Sequence, residues 1–217
     1  MPSRVRSCKL IVEGDGDQQA VPELLRRHLY AIGDYVFQVR PNPIKAGKIR
    51  GILNAGKFER LVPHAMNDRD ADAVLIILDT DEDCPVDLVR ESARRLEALA
   101  AARRKPVGLC FLKAEYETLF LYSLASLRAG YGAIPWRPDP PPLPADLEAI
   151  RGAKEKLREH IQDRQYREMR HQAALTAHLD FAALEASRSF RHLRACLDWL
   201  RAHDGTGPLV YPTPPPP

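Results

Sequence analysis

Two short apolar runs constrain this chain more than any other part of it. Lys9-Leu10-Ile11-Val12 leads into Glu13 and then Gly14-Asp15-Gly16-Asp17. Ala73-Val74-Leu75-Ile76-Ile77-Leu78 leads into Asp79-Thr80-Asp81. Each run is rich in branched residues, ends in turn chemistry and is too short for a helix. Such runs read as strands buried on both faces, and strands of that kind belong to parallel sheets covered by helices on both sides. Both deliver carboxylates where the strand ends.

The intervening segments support the same architecture. Residues 17–32 carry Val21, Leu24, Leu25 and Leu29 on one helical face, with Asp17 as a cap or first-turn acid. Residues 35–39 read as a strand, 41–51 as a loop, and 56–69 as a helix that Pro63 should kink. Pro85 suits the first turn of a long helix ending near Arg104. Residues 106–112 form a further strand that runs through Lys113 into Glu115-Tyr116-Glu117 and an apolar helix reaching about Leu127. Alternating strands and helices predict an α/β, Rossmann-like, mostly parallel sheet. In such sheets ligands sit beyond the carboxyl ends of the strands, the edge where Glu13, Asp79, Asp81, Glu115 and Glu117 all fall.

The remainder divides by composition. Residues 1–133 form the α/β part, and prolines dominate 134–145, which predicts a stiff linker. Residues 146–204 lack strand patterns and predict a C-terminal helical extension. Residues 205–217, ending in four prolines, predict a flexible tail. With 45% hydrophobic residues a real core is available, and a net charge of +3 gives no global electrostatic footprint for nucleic acid. The four cysteines show no metal-ligand spacing and suit reduced, buried thiols. No apolar stretch approaches membrane-spanning length and no secretory leader is legible, so a soluble cytoplasmic protein is expected, with no membrane partner.

The carboxylates carry the chemistry. Mg²⁺ takes oxygen ligands, commonly one or two carboxylates with waters and phosphates. Two aspartates two residues apart at a strand end can reach one ion. They can equally cap the next helix, and it is Glu13 at the matching end of another strand that favours a metal. Lys113 stands at a strand end beside these acids, and Lys45, Lys48, Arg50 and Lys154 are the cations expected to meet a phosphate backbone. The glutamates and cations around Lys154 would also make a merely solvated helix face. Gly51 to Phe58 imitates a phosphate loop, but Phe58 replaces the hydroxyl residue and no strand precedes it.

Val12-Glu13-Gly14-Asp15-Gly16-Asp17 and Asp79-Thr80-Asp81 resemble the two acidic motifs of TOPRIM domains, in the order and strand context of the OLD (overcoming lysogenisation defect) nucleases. More closely, the chain over about residues 8 to 200 resembles the family catalogued as domain of unknown function 4276. Leu78 through Pro85, Glu115-Tyr116-Glu117, Gly152-Ala153-Lys154 and Ser189-Phe190-Arg191 carry that likeness. The resemblance implies a TOPRIM fold and a metal-dependent nuclease using Mg²⁺ or Mn²⁺, with two ions about 3.5–4 Å apart. It implies Glu13 as general acid/base or ligand, Asp79 and Asp81 as ligands, and Asp17, Glu115 and Glu117 as candidates for the second ion. It also implies nucleic acid as partner and a role in phage defence beside a separate ATPase. The competing reading is a non-catalytic subunit of the same fold that docks to an ATPase. Topoisomerase-type TOPRIM proteins need a transesterifying tyrosine from another domain, and the sequence makes no case for one, Tyr166 alone being left open.

Overall fold

The structure is a computed structural model that describes residues 6–54 and 56–213. β1 (Ser7–Val12) is followed by α1 (Asp17–Ala31), β2 (Gln38–Val39), β3 (Ile44–Lys45), α2 (Ile49–Asn54) and α3 (Phe58–Met66). Then come β4 (Ala73–Asp79), α4 (Pro85–Arg103), β5 (Val107–Leu112), α5 (Thr118–Tyr122) and α6 (Leu124–Gly130). The chain closes with α7 (Ala153–Glu159), α8 (Glu168–Thr176), α9 (Phe181–Leu184), α10 (Arg188–Ala202) and β6 (Val210–Tyr211). The sheet order is β2-β1-β4-β5-β6, with β3 pairing the far half of β1, and every pairing is parallel. The architecture is therefore α/β and Rossmann-like, as the apolar runs predict.

Side-chain alternation sorts the sheet into two faces. Leu10, Val12, Leu75, Ile77, Cys110 and Leu112 belong to one hydrophobic cluster, and Ile11, Ile76, Leu78, Leu109 and Phe111 to the other. The second face is covered by α3 and α4, whose buried Phe58, Val62, Leu88 and Leu96 join that cluster. The first face is covered by α1 together with the helices after β5, through Phe120, Leu157, Leu175, Phe190 and Leu197.

This arrangement corrects the expected domain plan. The helices of 146–204 are not an appendage: they share one continuous cluster with the strands. Nor does 134–145 behave as a free linker at its start. Ile134 is buried, the Gln162 N–H donates to the Pro135 carbonyl at 2.7 Å, and Trp136 bridges to Ile161. The expected flexible tail is corrected as well, because Val210 and Tyr211 pair with Val107 and Gly108 of β5. An open edge on β5 is a liability, and a short strand bounded by prolines covers it. Tyr211 stacks on Trp199 of α10 at 5.5 Å. The last four prolines lie outside the described residues.

Smaller departures have local causes. Only two residues of 35–39 join the sheet, because the Asp34 carboxylate accepts the Val36 and Phe37 N–H groups at 2.9 Å. The apolar helix after Glu117 breaks at Ser123, whose Oγ accepts the Asp180 N–H at 2.9 Å. Cys8, Cys110 and Cys196 are buried free thiols, whereas Cys84 is exposed. Among the described residues no helix is long and apolar enough to cross a membrane.

Candidate functional site

Register fixes where the acids meet. Val12 pairs with Ile77 and Asp79 with Leu112, so Glu13 and Asp79 leave adjacent central strands at the same edge. The turn after β1 brings Asp17 back to that edge. Its Oδ2 accepts the Gly14 N–H at 2.8 Å, and its Oδ1 accepts from Gln172 Nε2 of α8 at 2.9 Å. Asp81 has a left-handed backbone (φ 49) and donates its N–H to the Ala114 carbonyl at 3.0 Å. Its carboxylate takes Lys48 Nζ at 3.2 Å.

The electrostatics show that these groups share one environment. Burial, followed by the charges of Asp81 and Asp17, pushes the Glu13 carboxyl up to about 7, against the opposing pull of Lys48. Asp79 is raised well above the usual range by burial and by Asp17, Glu13 and Glu117. Asp17 is raised by burial, although its bonds to Gly14 and Gln172 work the other way and Glu168 adds to the rise. Glu13 Oε2 is buried without a hydrogen-bond partner. Such an atom is costly unless a proton or a cation satisfies it.

A second group adjoins the first. Glu117 is buried, accepts the Tyr166 hydroxyl at 2.9 Å and is pushed by burial up to about 7, with Lys154 and Tyr166 opposing. Lys154 is ion-paired with Glu168. Burial works to lower its pKa, yet Glu168, Glu117 and Glu115 hold it above the usual range. Glu115 does not project freely: its Oε2 accepts the Lys154 N–H at 2.9 Å, at the start of α7. Tyr166 is buried with its hydroxyl spent on Glu117, which removes it as an exposed nucleophile.

The structure thus brings together Glu13, Asp17, Asp79 and Asp81, with Glu117 next to them and Lys48 and Lys154 as counter-charges. It does not bring Lys113 to Glu13, which corrects the expectation that Lys113 stands beside these acids. Alternation parts Lys113 from Asp79, since Phe111 faces the α4 side and Ile77 the α1 side. Glu13, however, follows Ile11 on the α4 side, so from Glu13 it is the direction of the ammonium that separates Lys113. Lys113 Nζ instead donates to the Asp83 carbonyl at 3.2 Å, and the residue lines a cavity of about 490 Å³ with Phe111, Val86 and His192. Lys45 and Arg50 lie further out, paired with Asp15 at 2.7 Å and with Asp83, to which Arg50 Nε donates at 2.6 Å. Gln172 and Glu168 were invisible to local reading, because the Gln172–Asp17 bond spans 155 residues.

The donors are all oxygens and carry excess negative charge, which suits a hard divalent cation. Among the described residues no three acidic, histidine or cysteine side chains stand as a ready ion cage. Mg²⁺ typically rests on one or two carboxylates and keeps several waters, so a closed cage is not what it requires. Glu13, Asp17 and Asp79 are the residues that would hold it, with the unpartnered Glu13 Oε2 as the nearest free donor.

Gly16 sets the approach of α8 to this edge. A Cβ there would stand 1.9 Å from Gln172 Oε1 and 3.1 Å from the Glu168 Cβ. Gly16→Ala is therefore expected to displace Gln172 from Asp17 and to destabilise the fold by about 1–3 kcal/mol. A denaturation midpoint equal to that of the unmodified protein would refute this packing role.

No curated protein and no solved structure matches the chain. A family model matches residues 12–198, a span that begins at the last residue of β1, includes the whole carboxylate edge and reaches into α10. On that match, the chain belongs to the family described as Domain of unknown function (DUF4276).

Proposed function

We propose that this protein is a TOPRIM-type, divalent-metal-dependent phosphodiesterase acting on nucleic acid. The observation that carries the reading is the convergence of Glu13, Asp17 and Asp79 where β1 and β4 end, with Glu13 raised to about 7 and one of its oxygens left unpartnered. A carboxyl with that affinity for protons is half-ionised near neutrality, the condition under which it best gives or takes a proton. Asp79 and Asp17 crowd negative charge into a partly buried edge, and a divalent cation relieves that crowding. When bound, Mg²⁺ or Mn²⁺ supplies Lewis-acid stabilisation and lowers the pKa of water. Glu13 handles the proton of the attacking water or of the leaving oxygen. Lys48 holds Asp81 in place, and Tyr166 and Lys154 hold Glu117 behind the first group.

The test is direct. Purified protein is incubated with plasmid DNA and single-stranded RNA, with Mg²⁺ or Mn²⁺ and with chelator, beside Glu13→Gln. Metal-dependent strand breakage by the unmodified protein and none by Glu13→Gln is the expected result. Equal inertness of the two proteins on both substrates overturns the reading.

A further inference from the structure

The cations that sequence spacing suggested for nucleic acid are already occupied. Lys45 is held by Asp15, Lys48 by Asp81, Arg50 by Asp83 and Lys154 by Glu168. Each already has its charge balanced by a carboxylate, for which a phosphate must compete. A different set is unoccupied. Arg137, Arg164, Arg167 and Arg170 are exposed, and among the described residues none forms an ion pair.

These arginines line three clefts, two of which share Arg167 and Arg170. Arg167 and Arg170 line one with Gln165 and His171, and they line the next with Arg158. Arg137 and Arg164 line a third, of about 470 Å³, with Pro140 to Pro142. Of the two acids that share it, Glu159 is neutralised by Lys156 at 2.8 Å. Asp139 and Asp163 remain as nearby acids against four guanidinium groups without ion pairs, of which that of Arg137 donates to the Glu159 carbonyl at 3.5 Å. The face also ends at the carboxylate edge. Arg167 and Arg170 flank Glu168, which pairs with Lys154 and packs over Gly16.

We propose that this arginine face binds the phosphate backbone of a nucleic acid and leads it to the carboxylate edge. The ligand class rests on the phosphodiesterase reading; the location rests on the unpaired guanidinium groups alone. Several exposed guanidinium groups without ion pairs match a repeating phosphate charge. No fully exposed aromatic ring stands near them among the described residues: Tyr166 is buried, and Trp136 and Tyr131 are partly buried. Contact is therefore with the backbone, independent of base sequence and steeply salt-dependent.

The experiment is fluorescence anisotropy of a labelled DNA duplex in chelator, where no cleavage occurs. The protein is compared with the Arg164→Gln, Arg167→Gln, Arg170→Gln triple variant and with Lys45→Gln. All four positions are exposed, and matched thermal melts confirm the fold. Three lost phosphate contacts make the slope of log affinity against log salt shallower by about 2.7, at about 0.9 per contact. Lys45→Gln is expected to bind within about twofold of the unmodified protein, because that ammonium is already paired. An unchanged slope in the triple variant, or no binding by the unmodified protein, overturns the proposal. Displacement of the duplex by poly-glutamate at lower concentration than by unlabelled duplex also overturns it, in favour of an acidic protein partner. Binding in chelator without any cleavage in metal leaves this proposal standing and removes the hydrolase reading. Cleavage by a triple variant with unaltered binding does the reverse.

Discussion

Asp79→Asn is expected to make the metal-free protein more stable and the metal-loaded protein inactive. Asp79 is held above the usual carboxylate range by burial and by Asp17, Glu13 and Glu117. Holding its charge in the folded protein is therefore unfavourable, and the carboxyl costs stability at about pH 8, where the unfolded chain is ionised. Asparagine keeps an oxygen for the Tyr116 N–H that Asp79 accepts and discards the charge. A gain of about 1 kcal/mol corresponds to roughly 2–4 °C in Tm for a chain of this size. The same change withdraws a proposed ligand, so a rise in Tm with Mg²⁺ or Mn²⁺ is expected of the unmodified protein and not of the variant. Hydrolysis should fall by about 10²–10³-fold, the usual consequence of deleting one charge-stabilising group from a shielded site. A purely structural aspartate behaves oppositely, losing stability when replaced. Melting scans with and without Mn²⁺ separate the two cases, and a lower Tm for metal-free Asp79→Asn would sink the proposed ligand role.

The second large effect belongs to Glu117 and appears as pH dependence. Burial raises its folded-state pKa from 4.5 to about 7. Between those values the folded protein holds a proton that the unfolded chain has released. Stability is therefore fully present below 4.5, declines as pH rises, and levels off above about 7. The difference amounts to about 3 kcal/mol. Glu13 is raised to the same region and adds in the same direction, with a smaller share because it is partly exposed to water. Glu117→Gln, which can still accept the Tyr166 hydroxyl, should be more stable than the unmodified protein at about pH 8 and show a shallower slope. Circular-dichroism melts of the metal-free protein from about pH 5 to about pH 8 provide the measurement. An unmodified protein whose Tm is flat across that window contradicts the mechanism.

The central strands were readable because β1, β4 and β5 are continuous apolar runs, and a run buried on both faces needs no partner information to be recognised. The turn residues that end them placed Glu13 and Asp79 on one edge. Lys113 went astray for a reason of parity. A strand end shows which edge a side chain reaches, and alternation decides the face, so Lys113 went with Phe111 away from Asp79, and its ammonium turned to Asp83 instead of to Glu13. β3 and β6 are two residues long and leave no periodic trace. The helical layer was legible as helices and not as a layer, because its docking depends on pairs such as Gln172 with Asp17 and Tyr116 with Thr176. The cations show the same division. Sequence reports that Lys45 and Arg50 are positive, and only the fold reports that Asp15 and Asp83 have taken them.

The two faces of the sheet differ in when they can close during synthesis. α3 and α4 are laid down between the strands they cover, so that side can pack as soon as β5 is made. The opposite side waits for helices that follow β5, and such distant closures are the slow ones. Gln172 reaches Asp17 only after 155 further residues have been added. A partly synthesised chain thus carries Glu13 and Asp79 on a sheet open to water, where their charges repel weakly and ions are held poorly. Docking of α8 and α10 shuts out that water. The acidic edge acquires its raised affinity for protons in the same event that completes the fold, so an unfinished chain lacks the condition that the proposed chemistry requires.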